Sequence, residues 1–112
     1  MNGFTGQNVA AVTLKKQSDV VIKKVLSDYA EVTLPADTEV LEPGQVLITT
    51  DGGDTFTVPA DADAEPNGIL CEPLTSTGKA EVLVCGVVRE KYLVDYVADY
   101  KTHLFANKII LK

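Results

Sequence analysis

The sequence predicts a mainly β protein with one short helix. Three features point there. Short apolar runs such as Val46-Leu47-Ile48, Gly68-Ile69-Leu70-Cys71 and Val82-Leu83-Val84-Cys85 are bounded by Gly, Pro or Asp, the pattern of a compact β unit. Gly86 interrupts the longest of these runs, which predicts a bulge or sharp bend there. Beyond Arg89 the period lengthens, and Leu93, Val97, Tyr100 and Leu104 recur as one stripe of a helix. A chain of 112 residues is one domain, long enough to bury roughly 65% of its unfolded surface. Its 46% hydrophobic content argues against wholesale disorder.

Residues 1–18 read as a flexible N-terminal arm and residues 19–112 as a single β-rich domain. The middle of the arm, Val9-Ala10-Ala11-Val12-Thr13-Leu14, suits a strand wherever a sheet edge is offered. Residues 20–26 are ambivalent. Ser18-Asp19 fits a helix cap with Val21, Ile22, Val25 and Tyr29 on one face, yet four of the seven residues are β-branched and favour a strand. With Ser27-Asp28 as a turn, residues 20–34 predict a hairpin.

Pro35-Ala36-Asp37 opens a loop, residues 38–41 are briefly extended, and Glu42-Pro43-Gly44 makes a tight turn. Residues 45–50 predict a strand, joined by an Asp51-Gly52-Gly53-Asp54 turn to residues 55–58. Residues 59–67, with Asp61, Asp63 and Glu65, read as an exposed loop. Residues 68–72 and 80–89 carry the strongest strand signals, with Thr75-Ser76-Thr77-Gly78 between them. Asp95 and Asn107 are the expected N-cap and C′ residues of the helix, which has to lay its stripe over an open end of the sheet. Residues 108–112 predict the last strand.

The net charge of −6 is unevenly spread. Between Lys24 and Lys79 there are 11 Asp or Glu and no Lys or Arg. Such a belt repels a nucleic-acid backbone and attracts a basic surface, so nucleic acid is not an expected partner. No apolar run approaches the roughly 18 residues of a membrane span, so no membrane partner is expected either. Residues 1–8 lack the basic start and apolar block of a secretory signal, which predicts folding in a cytoplasm. Cys71 and Cys85 then read as reduced core thiols, with a disulfide between neighbouring strands as the alternative.

Chemistry is sparse. Asp51-Gly52-Gly53-Asp54 and Asp61-Ala62-Asp63-Ala64-Glu65 place oxygen ligands in a way that suits calcium, but neither has an EF-hand's ligand set or flanking helices. Ser18, Ser27 and Ser76 are the only serines and none stands in a Gly-x-Ser-x-Gly turn. His103 is the only histidine, and no recognisable nucleophile motif accompanies it. The expectation is a protein that is not an enzyme and carries no metal or other cofactor.

One ordered series remains: Pro43-Gly44-Gln45-Val46-Leu47, an Asp-Gly turn, an acidic connector, Gly68-Ile69-Leu70, a Thr/Gly loop, Gly86-Val87-Val88, a short helix and Ile109-Ile110-Leu111. Across residues 32–112 this series resembles the head decoration proteins of tailed phages, the family of the lambda capsid-stabilising protein. The resemblance implies a β-clip or small β-barrel-like module. It implies a homotrimer on the outside of a capsid, at three-fold and quasi-three-fold sites, stabilising the mature shell. The partners would be the major capsid protein and further copies of the chain, and the location the virion. It also implies that the N-terminal arm touches the lattice, which singles out Val9, Val12, Leu14, Lys15 and Lys16 as capsid-binding residues. The Gly86 bend and the terminal helix are the expected meeting places of subunits. Asn107, where many relatives have Gly, and the candidate hairpin over residues 20–34 depart from the pattern. The competing readings are another phage head or tail protein, such as a head-fibre or spike base, and a non-viral module that binds sheet edges.

Overall fold

Two long strands organise the sheet. The structure, a computed structural model, describes residues 16–112. A single helical turn, Gln17–Val20 (α1), leads into the 12-residue strand Val21–Val32 (β1). Three short strands follow, Val46–Leu47 (β2), Thr55–Phe56 (β3) and Gly68–Leu70 (β4), and then the 11-residue strand Gly78–Val88 (β5). A 3-10 turn Glu90–Tyr92, the helix Tyr100–Ala106 (α2) and the strand Ile109–Leu111 (β6) close the chain. The protein is thus mainly β, with six strands in one mixed sheet and one two-turn helix among the described residues.

β1 and β5 form an antiparallel ribbon from Val32 opposite Gly78 to Val21 opposite Val88. The other edge of β5 is shared. β4 pairs antiparallel with Val82 and Leu83, while β6 pairs parallel with residues 86–88. β2 extends the sheet beyond β4, and β3 lies parallel to Glu31 and Val32 at the end of β1. The strand order is therefore β2–β4–β5–β1–β3. β2 and β3 never form a ladder with each other, so the sheet is open and not the small barrel that was one expectation. A single bridge, Ile48 to Thr57, curls its two ends over a shared core.

Both faces of the sheet's middle are buried. Leu47, Phe56, Leu70, Ala80, Val82 and Val32 point into the curl, where Leu41 and Leu74 close it. Val46, Ile69, Cys71 and Leu83 point the other way, under Val20, Tyr100, Leu104 and Ile109. Strands buried on both faces need continuous apolar sequence, which is why residues 68–71 and 82–85 show no polar alternation. Gly44 fixes the turn before β2. Its φ is +101°, and a Cβ there would stand 2.5 Å from the Tyr92 carbonyl oxygen, so neither the conformation nor the space admits a side chain.

Four local expectations change. Most of residues 20–34 is one strand, Val21–Val32, and not a hairpin, because β5 offers both halves a distant partner. Ser27 donates its hydroxyl hydrogen to Glu81 instead of turning the chain. The strand expected over residues 45–50 is only two residues long. Beyond it the Thr49 N–H donates to the Asn67 side chain and leaves the ladder. The helix begins at Tyr100 with Asp99, not Asp95, in the N-cap position, because Val94 bridges to Gln45 and Asp95 takes a φ of +59°. Asn107 is the last capping residue, and Lys108, at φ +70°, makes the left-handed turn one position later than expected. No disulfide forms: both Cys71 and Cys85 are free thiols.

Candidate docking surface

The outer edge of β1 is open for most of its length. Among the described residues, only Glu31 and Val32 have a strand on that side, so residues 21–30 have no strand neighbour there, and the Tyr29 N–H donates to the Asp28 carboxylate. Four large apolar side chains stand on the same stretch: Ile22 (47% exposed), Val25 (59%), Leu26 (58%) and Tyr29 (61%). A free edge decorated in this way is a template for another chain. Three register shifts, and Lys23 and Lys24 between the apolar residues, keep it from accepting any strand indiscriminately.

One of those shifts also creates a groove. Leu26 pairs with Cys85 and Ser27 with Leu83, so Val84 is an extra residue on β5. Leu83 and Val88, five positions apart, consequently enter the same core, which strict alternation would forbid. The face that carries Val82 and Val84 inside the curl continues past the bulge as Cys85 and Val87. There, among the described residues, Cys85 and Val87 are only partly covered. Val25, Cys85, Val87, Phe105 and Ile110 line a groove of about 360 Å³ together with Lys23 and Lys108. Phe105 is 64% exposed, because Tyr100 and Leu104 use the buried side of the same helix. Gly86 permits the arrangement: a Cβ there would collide with the Lys23 carbonyl oxygen on the neighbouring strand.

On the opposite face Glu81 clasps α1 to the ribbon. Its carboxylate accepts hydrogen bonds from Lys24 Nζ (2.7 Å), Ser27 Oγ (2.6 Å) and Gln17 Nε2 (2.9 Å). These donors, Lys24 foremost, hold the Glu81 pKa below its ordinary value. Cys71 lies close by and is buried, and that burial pushes its thiol up to about 12. A second clasp closes the 51–54 turn, where Asp51 accepts from the Thr55 hydroxyl and N–H and from the Thr49 hydroxyl. Those bonds hold Asp51 down at about 2.

Of the arm residues singled out by the sequence, Val9, Val12, Leu14 and Lys15 lie outside the described residues. Lys16 is exposed at the start of α1, where its N–H donates to the Asp19 carboxylate. His103 stands half-buried on α2. Among the described residues no three His, Cys, Asp or Glu side chains gather at one point, and no helix is long and apolar enough to cross a membrane. Gly86 and Phe105 of the terminal helix, singled out as meeting places, stand together in the groove, whereas the exposed row on β1 is what sequence reasoning missed. Its signal was present: residues 20–26 carry five apolar residues that no single buried face of a hairpin would absorb. No family model matches the chain, and no curated protein is similar to it.

Proposed function

We propose that this chain is a capsid decoration protein of the tailed-phage type. In this reading it is a homotrimer that binds the major capsid protein on the outside of the head and stabilises the mature shell. It works by contact alone, without catalysis or a cofactor, and its place is the virion. The observation that carries the reading is the open edge of β1 with Ile22, Val25, Leu26 and Tyr29 exposed along it. Large apolar groups on an unpaired strand mark a surface made for a protein neighbour. The long β1–β5 ribbon, with its register shifts and the close approach of Gly86 to the Lys23 carbonyl, is the feature that favours a β-clip.

The physical logic is linkage. A protein that binds the assembled shell and not its free subunits stabilises the shell by mass action. A trimer multiplies three weak contacts through effective concentration, so no single contact has to be strong. The arm, with Val9, Val12 and Leu14, supplies a further strand-like contact to the lattice.

The test is co-sedimentation with undecorated, expanded phage heads. The full chain is expected to pellet with them, and Ile22→Asp combined with Tyr29→Asp to bind at least about tenfold more weakly. Removing residues 2–14 is expected to weaken binding further. A full chain that stays in the supernatant sinks the capsid reading. If it is also monomeric at every concentration, the non-viral edge-binding module takes its place.

A further inference from the structure

We propose that residues 9–14 of this chain pair with the free edge of its own β1, so that the isolated protein masks that edge until a neighbour displaces the segment. The inference goes beyond the reading above and holds whatever that neighbour is. It assigns the edge a resting occupant and makes docking conditional on removing it.

Residues 1–15 lie outside the described residues, and what recommends them is their length, their sequence and where they attach. The described chain starts at Lys16, and α1 delivers it to the start of β1 in one helical turn. That root is pinned. The Gln17 side chain donates to the Cys71 carbonyl and to Glu81, and Arg89 donates to the carbonyls of Ser18 and Asp19. A segment doubling back through residues 15–20 lies antiparallel to β1, and closing so short a connection from a fixed root costs little. Six extended residues span about 20 Å, which matches β1 from Ile22 to Ser27. Just beyond, the Tyr29 N–H is already taken by the Asp28 carboxylate, so the vacant stretch and the segment end together.

The side chains fit as well. Residues 1–14 carry no charge, and within residues 9–14 only Thr13 is polar. An uncharged strand meets no repulsion from Lys23 and Lys24, and it gives Ile22 and Leu26, each about half-exposed, cross-strand apolar partners. The register shifts and lysines of β1 discourage an untethered strand. A covalent tether overcomes that bias, because a short linker keeps its segment at an effective concentration on the order of millimolar. A strand laid along the edge flanks the groove without filling it, so Cys85 stays reachable. Where an assembled lattice offers a rival edge, the same residues can leave β1 for it, and docking becomes an exchange of strands.

The experiment is residue-resolved amide hydrogen exchange on the full chain without capsids, at high and low protein concentration. Two full-length variants, Val12→Pro and Leu26→Asp, are measured beside it. The amides of residues 9–14, and those of residues 22–27 that do not pair with β5, are expected to exchange at least about tenfold more slowly than an unstructured chain. Protection is expected to be the same at both concentrations. Val12→Pro removes a strand donor and is expected to return both sets to fast exchange, and Leu26→Asp to do so for the arm. Slow exchange at Val82 and Leu83 identifies variants that have kept the fold. Arm amides that exchange at the unstructured rate overturn the proposal. So does edge protection that survives Val12→Pro, or protection lost on dilution, which assigns the arm to another copy. No capsid is present, so a failure here leaves the decoration reading standing, and a chain that does not pellet with heads leaves this contact standing.

Discussion

The middle of the β1–β5 ribbon and its far end are built from the same two strands yet stand in different surroundings. In the middle, Val82 fills the curl and Leu83 the opposite core, and both faces are covered. At the far end, Val88 is buried on one face while Val87, with Val25 and Ile110 beside it, meets solvent on the other. The sequence is as apolar at the end as in the middle. Continuous apolar strands are explained by two-sided burial only where two sides exist. Among the described residues the excess at the far end is therefore only half used in packing, and it adds less to the fold than the same residues do in the middle.

That contrast is broken most directly by deleting side chains in the two regions. Leu83→Ala removes a fully buried side chain between β4 and the helix layer and is expected to cost about 2–5 kcal/mol. Val25→Ala, at a residue 59% exposed, is expected to change the isolated chain by no more than about 0.5 kcal/mol. Urea midpoints at dilute concentration decide it, and equal losses would refute the division. Gly86→Ala sits at the junction. Its new Cβ meets the Lys23 carbonyl oxygen, and prising β1 away is expected to cost about 1–3 kcal/mol.

Much of this was legible beforehand, and the failures have a common cause. The turns at residues 42–44 and 51–54, the strands around residues 68–70 and 80–88 and the irregularity at Gly86 are local signals, and each stands where it was expected. The hairpin over residues 20–34 failed because Ser27-Asp28 has turn character only when nothing distant competes. Here β5, some fifty residues on, pairs with both halves. The helix began late for the same reason: Val94 and Asp95 are drawn to Gln45, whose buried side chain donates to the Asp95 carboxylate. The candidate surface was misjudged because an apolar run looks the same whether its second face is covered by its own chain or by a partner.

A smaller effect separates the clasped face from the groove face. The Glu81 carboxylate is held below its ordinary value of 4.5 in the folded protein, so the unfolded chain takes up the proton first as pH falls. The clasp's contribution is therefore complete at neutral pH and is lost as the pH drops from about 4.5 through the folded value. Glu81→Gln is expected to lower stability at neutral pH and to flatten the acid limb, by less than Leu83→Ala costs. A parallel fall of both curves through that window would show that the acid response comes from elsewhere. Asp51, held down at about 2, adds a second, more acidic step that Asp51→Asn is expected to remove.

The gentlest probe changes no residue. Cys71 and Cys85 lie on either side of the contrast, one sealed in the core, the other half-exposed on the groove. With its thiol pushed up to about 12, mainly by burial, Cys71 has roughly one thiolate in ten thousand molecules near pH 8, and the reagent must also wait for the sheet to open. Dilute protein treated with a small thiol reagent is expected to label one cysteine promptly and the other at the rate of unfolding. Mass mapping should place the prompt label on Cys85. Two prompt labels would mean that the ribbon's middle opens as readily as its end. Two slow ones would mean that the groove is already shut in the isolated chain, and the apolar excess around Val87 would then need an intramolecular explanation.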